Sequence, residues 1–375
     1  MATEEAVVLY PTPTIGHLKA MVELGKLLLT HQPSLSIHIL IATPPYQANA
    51  TAPYIAAVSS AVPSLTFHTL PEITLPPSSS VAHHEDLTFE VLRLNNPYVH
   101  DALVSISNKH KIQALVMDFF ISVGFKVATD LNIRPYYLYT ASAGSLAAFI
   151  YQPTIHNQTT ESFKDMGDVL LHTPGVPPIP AKDMPKPALD RTSKAYEFFL
   201  DCSITLPKSA GIINNSFQVL EPRAIKAISD GLCVTDSLTA PLYCIGPLIA
   251  SIDEKKTDGG DQCLTWLDSQ PSKSVVYLCF GSLGLFTKEQ LREIALGLER
   301  MEEIKIALPI VESSENNGFV KSDEVEKRVR DLMESSEGKL VLEQITAMKE
   351  AAEAALSDGG SSRLALAKLV ESWKQ

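Results

Sequence analysis

Apolar runs of strand length alternate with runs of helical periodicity along most of the chain, and this alternation constrains the fold more than any other feature. The first unit is typical of the pattern. A strand over Ala6–Tyr10 is followed by a loop of Pro and Thr, and then by a helix in which Leu18, Met21, Val22 and Leu29 recur at helical spacing. Such alternation predicts an α/β fold in which a parallel sheet is connected by crossover helices.

Chain length and composition predict two domains, since 375 residues are too many for one typical domain. Apolar runs predict further strands at Ser36–Ala42, Leu65–Leu70, Ile112–Asp118, Tyr136–Thr140 and Ala210–Asn215. The stretch from Ser251 to Gln262 is polar and poor in apolar residues, which is typical of a linker. We therefore expect a first domain over residues 1–248, a linker over 249–262 and a second domain over 263–375.

His17 begins the first predicted helix, directly after the loop that follows the first strand. In open α/β sheets ligands bind in the crevice at the carboxyl ends of the strands, and the start of this helix lies at that edge. An imidazole in this position is a candidate general base. The alternative is a histidine that only bonds a neighbouring group at the helix start.

Asp118 ends a predicted strand, where its charge would be costly unless it were paired. It either caps the following helix or orients a catalytic group in the same crevice. Because Asp118 and His17 fall on the same edge of one sheet, we favour the second interpretation. Thr140 ends the next predicted strand and places a hydroxyl group at that edge as well.

Charge and cysteine usage exclude several function classes. The net charge of −12, with acidic and basic residues mixed, argues against a nucleic-acid surface, and no polybasic patch suggests binding to a membrane surface. The acidic first residues are unlike a signal peptide and no apolar run reaches membrane-spanning length, which predicts a cytosolic protein with a small-molecule partner. The five cysteines are scattered, so we expect neither a disulfide framework nor a metal site.

The second half opens with another pattern of strand, loop and helix. A buried strand is predicted at Ser274–Phe280, and Gly281 and Ser282 begin a tight loop after it. Backbone donors in such a loop can bind a phosphate, although a Gly-Ser pair alone is a weak signal. Thr287–Gln290 forms a capping box that predicts the start of the next helix.

Seven segments distributed over nearly the whole chain carry a family resemblance. They are Pro-Thr-Ile-Gly-His at 13–17, Met-Asp-Phe-Phe at 117–120, Tyr-Thr-Ala-Ser-Ala at 139–143, Ile-Gly-Pro at 245–247, Trp-Leu-Asp-Ser-Gln-Pro at 266–271, Val-Tyr-Leu-Cys-Phe-Gly-Ser at 276–282 and Gly-Gly-Ser-Ser at 359–362. Together they resemble the plant UDP-dependent glycosyltransferases of secondary metabolism. The similarity is greatest to the branch that glycosylates phenolic hydroxyl groups of flavonoids and chalcones.

This resemblance implies two Rossmann-like domains of GT-B type, with the acceptor in the first and the UDP-sugar mainly in the second. His17 would be the base that takes the proton of the acceptor hydroxyl, and Asp118 would stabilise the imidazolium that forms. The hydroxyl would attack the anomeric carbon of a hexose, glucose by expectation, and displace UDP with inversion. Thr140 would contact the sugar, and Gly281 and Ser282 would lie beside the diphosphate. The UDP-sugar is a co-substrate, so neither a cofactor nor a metal is implied, and we expect a monomer.

The sequence departs from this family in its second half. The family's donor-binding box, which begins Trp-Ala-Pro-Gln and has His-Cys-Gly-Trp-Asn-Ser at its centre, is absent, and Arg300 is followed directly by a segment that resembles the one after the box. Besides Ser274–Phe280, only the short run Lys305–Leu308 predicts a strand after residue 271. About three βα units are therefore missing from a Rossmann half. We predict that the second domain is truncated by an internal deletion near Arg300.

Two function classes follow from this departure. The chain is either a glycosyltransferase that keeps the activity of its family, or a catalytically impaired splice or gene-model variant that binds the acceptor only. A nucleotide-dependent oxidoreductase is disfavoured because no GxGxxG motif follows the first strand.

Overall fold

The structure is a computed structural model, and it describes residues 4–46, 51–75, 84–235, 239–249, 260–271, 287–299 and 320–374. The chain forms two compact units. The first unit comprises Met1–Ile252 together with Ala352–Gln375, and the second comprises Asp253–Ala351. Several sequence predictions lie outside the described residues: the strands Ser274–Phe280 and Lys305–Leu308, the loop that begins at Gly281 and Ser282, and the junction near Arg300.

A parallel sheet forms the centre of the first unit. The described strands are β1 (Glu4–Tyr10), β2 (Ser36–Ile41), β3 (Leu65–Thr69), β4 (His110–Asp118), β5 (Pro135–Tyr139), β6 (Leu170–Leu171), β7 (Ile179–Pro180), β8 (Gly211–Asn214) and β9 (Leu242–Cys244). Seven of them lie in the order β3-β2-β1-β4-β5-β8-β9 and are all parallel, while β6 and β7 form a separate antiparallel ribbon. The strands predicted from apolar runs in the first 248 residues are confirmed, with differences only at their ends.

Helices connect these strands and continue into the second unit. They are α1 (Ile15–His31), α2 (Ala52–Ala61), α3 (His84–Ser107), α4 (Gly124–Asp130), α5 (Ala143–Gln158), α6 (Phe163–Met166), α7 (Lys186–Leu189), α8 (Lys194–Thr205), α9 (Pro222–Ser229), α10 (Gly260–Asp268), α11 (Lys288–Glu299), α12 (Ser322–Glu334), α13 (Ser336–Leu356) and α14 (Ser361–Ser372). Helix α5 continues through Pro153 to Gln158. The buried side chains of Gln152 and Ile155 anchor this last part of α5, and their packing outweighs the bond that proline removes.

The core of the first unit lies on both faces of the sheet, because successive residues of a strand point to opposite faces. On one face, Val8 and Tyr10 of β1 are buried in a cluster that includes residues of α3, α5 and α8. On the other face, Val7 and Leu9 are buried in a cluster that includes residues of α1. All four side chains are inaccessible to solvent, as expected for a strand in the middle of a parallel sheet.

Helix α14 packs on the first unit, although the sequence placed residues 263–375 in the second domain. Its buried apolar stripe consists of Leu366, Leu369, Val370 and Trp373, and it belongs to the cluster on the α1 face. The ring of Trp373 meets that of Tyr136 edge-on, and the hydroxyl oxygens of Tyr136 and Ser372 lie 2.9 Å apart. Sequence periodicity identifies the apolar stripe of a helix but not the core that the stripe covers. The stripe of α14 therefore does not show from the sequence that this helix packs on the first unit.

The second unit is helical throughout its described residues. The Gln290 backbone amide donates to Thr287 Oγ1 at 3.1 Å, so half of the predicted capping box is present. The Gln290 side chain bonds the backbone of Val320 instead of completing the box. Large apolar side chains of this unit are exposed, including Trp266 of α10 at 57% and Leu340 of α13 at 58%. Such exposure is typical of helices that lack a packing partner.

Among the residues that the structure describes, no helix is both long enough and apolar enough to cross a membrane.

Candidate active site

The candidate site lies where the order of the strands reverses. Strand β1 is flanked by β2 on one side and by β4 on the other. From β2 the chain continues to β3 at one edge of the sheet, whereas from β4 it continues to β5 toward the opposite edge. In open α/β sheets, the carboxyl ends of the two strands at such a switch point bound the ligand crevice. Here those ends are Tyr10 of β1 and Asp118 of β4, and helix α1 begins five residues after β1.

His17 and Asp118 are paired at this point. His17 Nδ1 lies 2.5 Å from Asp118 Oδ2, as the sequence predicted for two residues on one sheet edge. The other carboxylate oxygen, Oδ1, accepts hydrogen bonds from the Thr12 hydroxyl at 2.8 Å and from the backbone amide of Phe120 at 3.2 Å. Asp118 is inaccessible to solvent, and these three contacts give a buried carboxylate the partners that it requires.

The pair makes His17 a stronger base than a free imidazole. Burial lowers the pKa of His17, but the charge of Asp118 and the hydrogen bond to it outweigh that effect, and the net result is a pKa raised above 6.5. Because Nδ1 is engaged with Asp118, Nε2 is the ring nitrogen that can accept a proton from a substrate. The His17 side chain is 24% exposed, which leaves it accessible from the crevice.

We expect His17 to titrate above pH 6.5 in the folded chain, because the Asp118 carboxylate stabilises the imidazolium. In Asp118→Asn the carboxylate charge is removed while burial remains, so the pKa of His17 should fall below 6.5. NMR titration of the imidazole protons measures both values, with the exposed His100 as an internal control. An unchanged titration of His17 in the variant would contradict the electrostatic coupling.

The same pKa shift determines how the pair affects folding stability. Since the pKa of His17 is higher in the folded state than in the unfolded state, the pair contributes its full stabilisation below pH 6.5. That stabilisation is lost as the pH rises through the raised pKa.

Aromatic rings surround the pair. The rings of Phe119 and Phe120 both lie 5.8 Å from the His17 ring, measured between centroids. These two rings belong to a larger aromatic cluster in which the centroids of contacting rings are 4.0 to 6.2 Å apart. Its members are Phe89, Phe119, Phe120, Tyr139, Phe149, Phe198 and Phe199. The sequence motifs include Phe119 and Phe120, in the Met-Asp-Phe-Phe segment, and Tyr139, in the Tyr-Thr-Ala-Ser-Ala segment. The other rings are supplied by α3, α5 and α8, and their meeting depends on tertiary packing.

A pocket opens beside the same edge, between the loop after β1 and the loop after β2. Thr12, Pro13 and Leu18 line it from the first loop and helix, and Ala42 and Pro44 line it from the second loop. Thr12 belongs to both the pocket and the hydrogen-bond network of Asp118, so the pocket adjoins the pair of His17 and Asp118.

Thr140 follows β5 at the edge where the pair lies, and it is half-buried. Leu138, two residues before Thr140, is in register with Asp118 on the adjacent strand. The segment after Thr140 is fixed by Glu221, whose carboxylate accepts hydrogen bonds from the backbone amides of Ala143 at 2.7 Å and Gly144 at 2.8 Å. Sequence reasoning missed both Thr12 and Glu221, because each acts through a partner that is distant in the chain.

The remaining predicted site residues, Gly281 and Ser282, lie outside the described residues. Among the residues that the structure does describe, no group of three or more His, Cys, Asp and Glu side chains could hold a metal ion.

Comparison with known proteins identifies the relatives of this chain, although it matches no protein-family model. UDP-glycosyltransferase 88B1 of Stevia rebaudiana is 38% identical over 461 residues, and the alignment covers 98% of both chains. The anthocyanidin 5,3-O-glucosyltransferase of a Rosa hybrid cultivar is 36% identical, with 99% of both chains covered. The Stevia alignment is longer than the 375-residue chain, so that relative contains residues with no counterpart here.

Solved structures share the fold. A UDP-glucosyltransferase from Polygonum tinctorium that is capable of glucosylating indoxyl matches with a TM-score of 0.88 at 23% identity, and the match covers 100% of both chains. UGT2 of Phytolacca americana, complexed with UDP-2fluoro-glucose and pterostilbene, matches with a TM-score of 0.85 at 26% identity. That match covers 99% of this chain and 100% of the other. The chain therefore belongs to the plant UDP-glycosyltransferases and has their α/β fold of GT-B type.

Proposed function

We propose that the reaction of this chain is the transfer of a hexose, glucose by expectation, from a UDP-sugar to a phenolic hydroxyl group of a flavonoid-like acceptor. The first unit supplies the acceptor site and the base. His17 takes the hydroxyl proton, Asp118 stabilises the imidazolium, and the oxygen attacks the anomeric carbon while UDP leaves with inversion. The observation that carries the proposal is the 2.5 Å contact between His17 and the buried Asp118 carboxylate.

The aromatic cluster supports a planar, aromatic acceptor. Rings that flank a base can pack against a phenol and hold its hydroxyl group near Nε2 of His17. The relatives point to the same class of compound. The Rosa enzyme is named for anthocyanidins, and the Phytolacca structure contains pterostilbene.

Further parts of the proposal come from the family resemblance. Thr140 contacts the sugar, and Gly281 and Ser282 lie beside the diphosphate. The UDP-sugar is a co-substrate, and we assign no metal or cofactor, because removal of the hydroxyl proton is the activation that a phenol needs and His17 provides it. We propose a cytosolic monomer whose acceptor domain spans residues 1–248, followed by a linker at 249–262 and a truncated donor domain.

A second candidate function is binding of the acceptor without transfer. It is favoured by the absence of the family's donor-binding box from the sequence and by the Stevia alignment, which is longer than this chain. In that case the first unit keeps its pocket and its base, and the second unit does not hold the donor.

Both candidates require an acceptor site, which calorimetric titration of the chain with pterostilbene would test. We expect binding, and we expect Phe120→Ala to weaken it by roughly tenfold, because an aromatic contact and its buried area are lost. Phe125→Ala is the matched control, since Phe125 is another half-buried phenylalanine that lies on α4 outside the aromatic cluster. Absence of binding, or equal weakening in both variants, would contradict this acceptor site.

A further inference from the structure

Three histidines from three strands meet in the first unit at a distance from the candidate active site. His38 Nδ1 of β2 lies 2.9 Å from His68 Nε2 of β3, and the ring centroids of His38 and His110 are 4.9 Å apart. His110 is the first residue of β4 and Asp118 is the last, so the length of that strand separates the three imidazoles from the catalytic pair. The reaction proposed above uses none of them.

The surroundings of His38 require its ring to be neutral. A separation of 2.9 Å holds one hydrogen atom between two ring nitrogens, one of which donates while the other accepts. Whichever ring donates, a proton added to the accepting nitrogen places two hydrogen atoms in the same gap. The other nitrogen of His38, Nε2, is buried without a hydrogen-bond partner among the described residues, so a charge there has no acceptor either.

We propose that His38, which contacts His68 and His110, acts as an acid-sensitive latch that stabilises the first unit only while the His38 imidazole is neutral. The latch joins β2, β3 and β4 across the half of the sheet that also carries β1. Protonation of His38 either breaks its hydrogen bond to His68 or leaves a buried charge on Nε2 without an acceptor, so the contact between these strands is weakened when the solution becomes acidic. The first unit also holds His17 and Asp118, so protonation of His38 lowers the stability of the unit that carries the proposed base.

The charged neighbours of the latch give the sign of its pH dependence. Burial, and then the charges of His68 and His110, lower the pKa of His38 to about 4, against a smaller opposing effect of Glu4 on β1. Burial and then the charge of Lys109 lower the pKa of His68. Groups whose pKa is lower in the folded state contribute their full stability above the unfolded value of 6.5 and lose it as the pH falls toward the folded value.

Urea unfolding of the full chain between pH 7.5 and 4.5 tests the latch. Trp373 is buried in the first unit, and Trp266→Phe removes the other of the two tryptophans, so fluorescence then reports on the first unit. In that background, the ratio of the unfolding constants of the parent and of His38→Gln should change by roughly fiftyfold over this pH range. The carboxylates and His17 titrate in both proteins, and their contributions cancel in the ratio.

Controls and a second readout keep the test decisive. His100→Gln, which removes an exposed histidine of α3, should keep the pH profile of the parent. His68→Gln should give a shallower profile like that of His38→Gln, and it replaces that variant if His38→Gln does not fold. In NMR of the unmutated chain, His38 should remain neutral down to about pH 5. Parallel unfolding profiles in all variants, or titration of His38 near pH 6.5, would overturn the proposal.

Discussion

His17→Ala is expected to lower kcat/KM for glucosylation of a phenol by at least about a hundredfold. The variant leaves the Asp118 carboxylate buried but removes the imidazole that lies 2.5 Å from it, so no proton acceptor remains between that carboxylate and the acceptor hydroxyl. The assay needs a chain in which the segment that we predict to be missing near Arg300 has been restored from the Stevia rebaudiana relative. In that restored chain, kcat/KM should also decline on the acid side from a pH above 6.5, because the pKa of His17 is raised.

Two measurements distinguish a lost base from a damaged fold. His100→Ala, an exposed change on α3, should leave turnover unchanged. Calorimetry with pterostilbene should show that His17→Ala still binds the acceptor with nearly the affinity of the parent. Turnover of His17→Ala within a few-fold of the parent would exclude His17 as the general base. A loss of acceptor binding that matches the loss of turnover would assign His17 to binding rather than to proton transfer.

The sheet and the proximity of His17 to Asp118 could be predicted from the sequence because both follow from local pattern and general topology. Apolar runs fix where the strands lie, and parallel strands present their carboxyl ends at one edge. Asp118 ends a buried strand and His17 begins the helix after another strand. Right-handed crossover connections between parallel strands bring two such residues to the same edge of the sheet. A buried carboxylate at that edge requires a hydrogen-bonding or charged partner.

The surroundings of the pair could not be predicted in the same way. Thr12 reaches Asp118 across more than a hundred residues of sequence, and the Phe89, Phe149 and Phe198 rings come from three different helices. Their contacts depend on how those helices pack on the sheet, which periodicity does not determine. The same limit explains α14, whose stripe at Leu366–Trp373 is visible in the sequence although the core that it covers is not.

No binding of UDP at micromolar concentration is expected for the chain as it stands, and therefore little or no transferase activity. By resemblance, the absent box supplies the surface that stacks uracil, the carboxylate for ribose, a histidine at the diphosphate and an acidic-Gln pair for the sugar. Gly281 and Ser282 can offer a few hydrogen bonds to phosphate, each worth about 1.5 to 3 kcal/mol when charge-assisted. Micromolar binding needs a net free energy of about 8 kcal/mol after the entropic cost of fixing the ligand, about 4 to 15 kcal/mol, has been subtracted, and a few such bonds fall short of that.

Calorimetric titration of the purified chain with UDP measures this directly, and the restored chain is the positive control that should bind. The exposed Trp266 and Leu340 of the second unit point in the same direction, since a donor site needs side chains that are held in place by packing. Glucosylation should accordingly be no faster in this chain than in its His17→Ala variant. Micromolar binding of UDP, or turnover above that variant, would mean that the remaining segments rebuild a donor site and that the deletion does not abolish function.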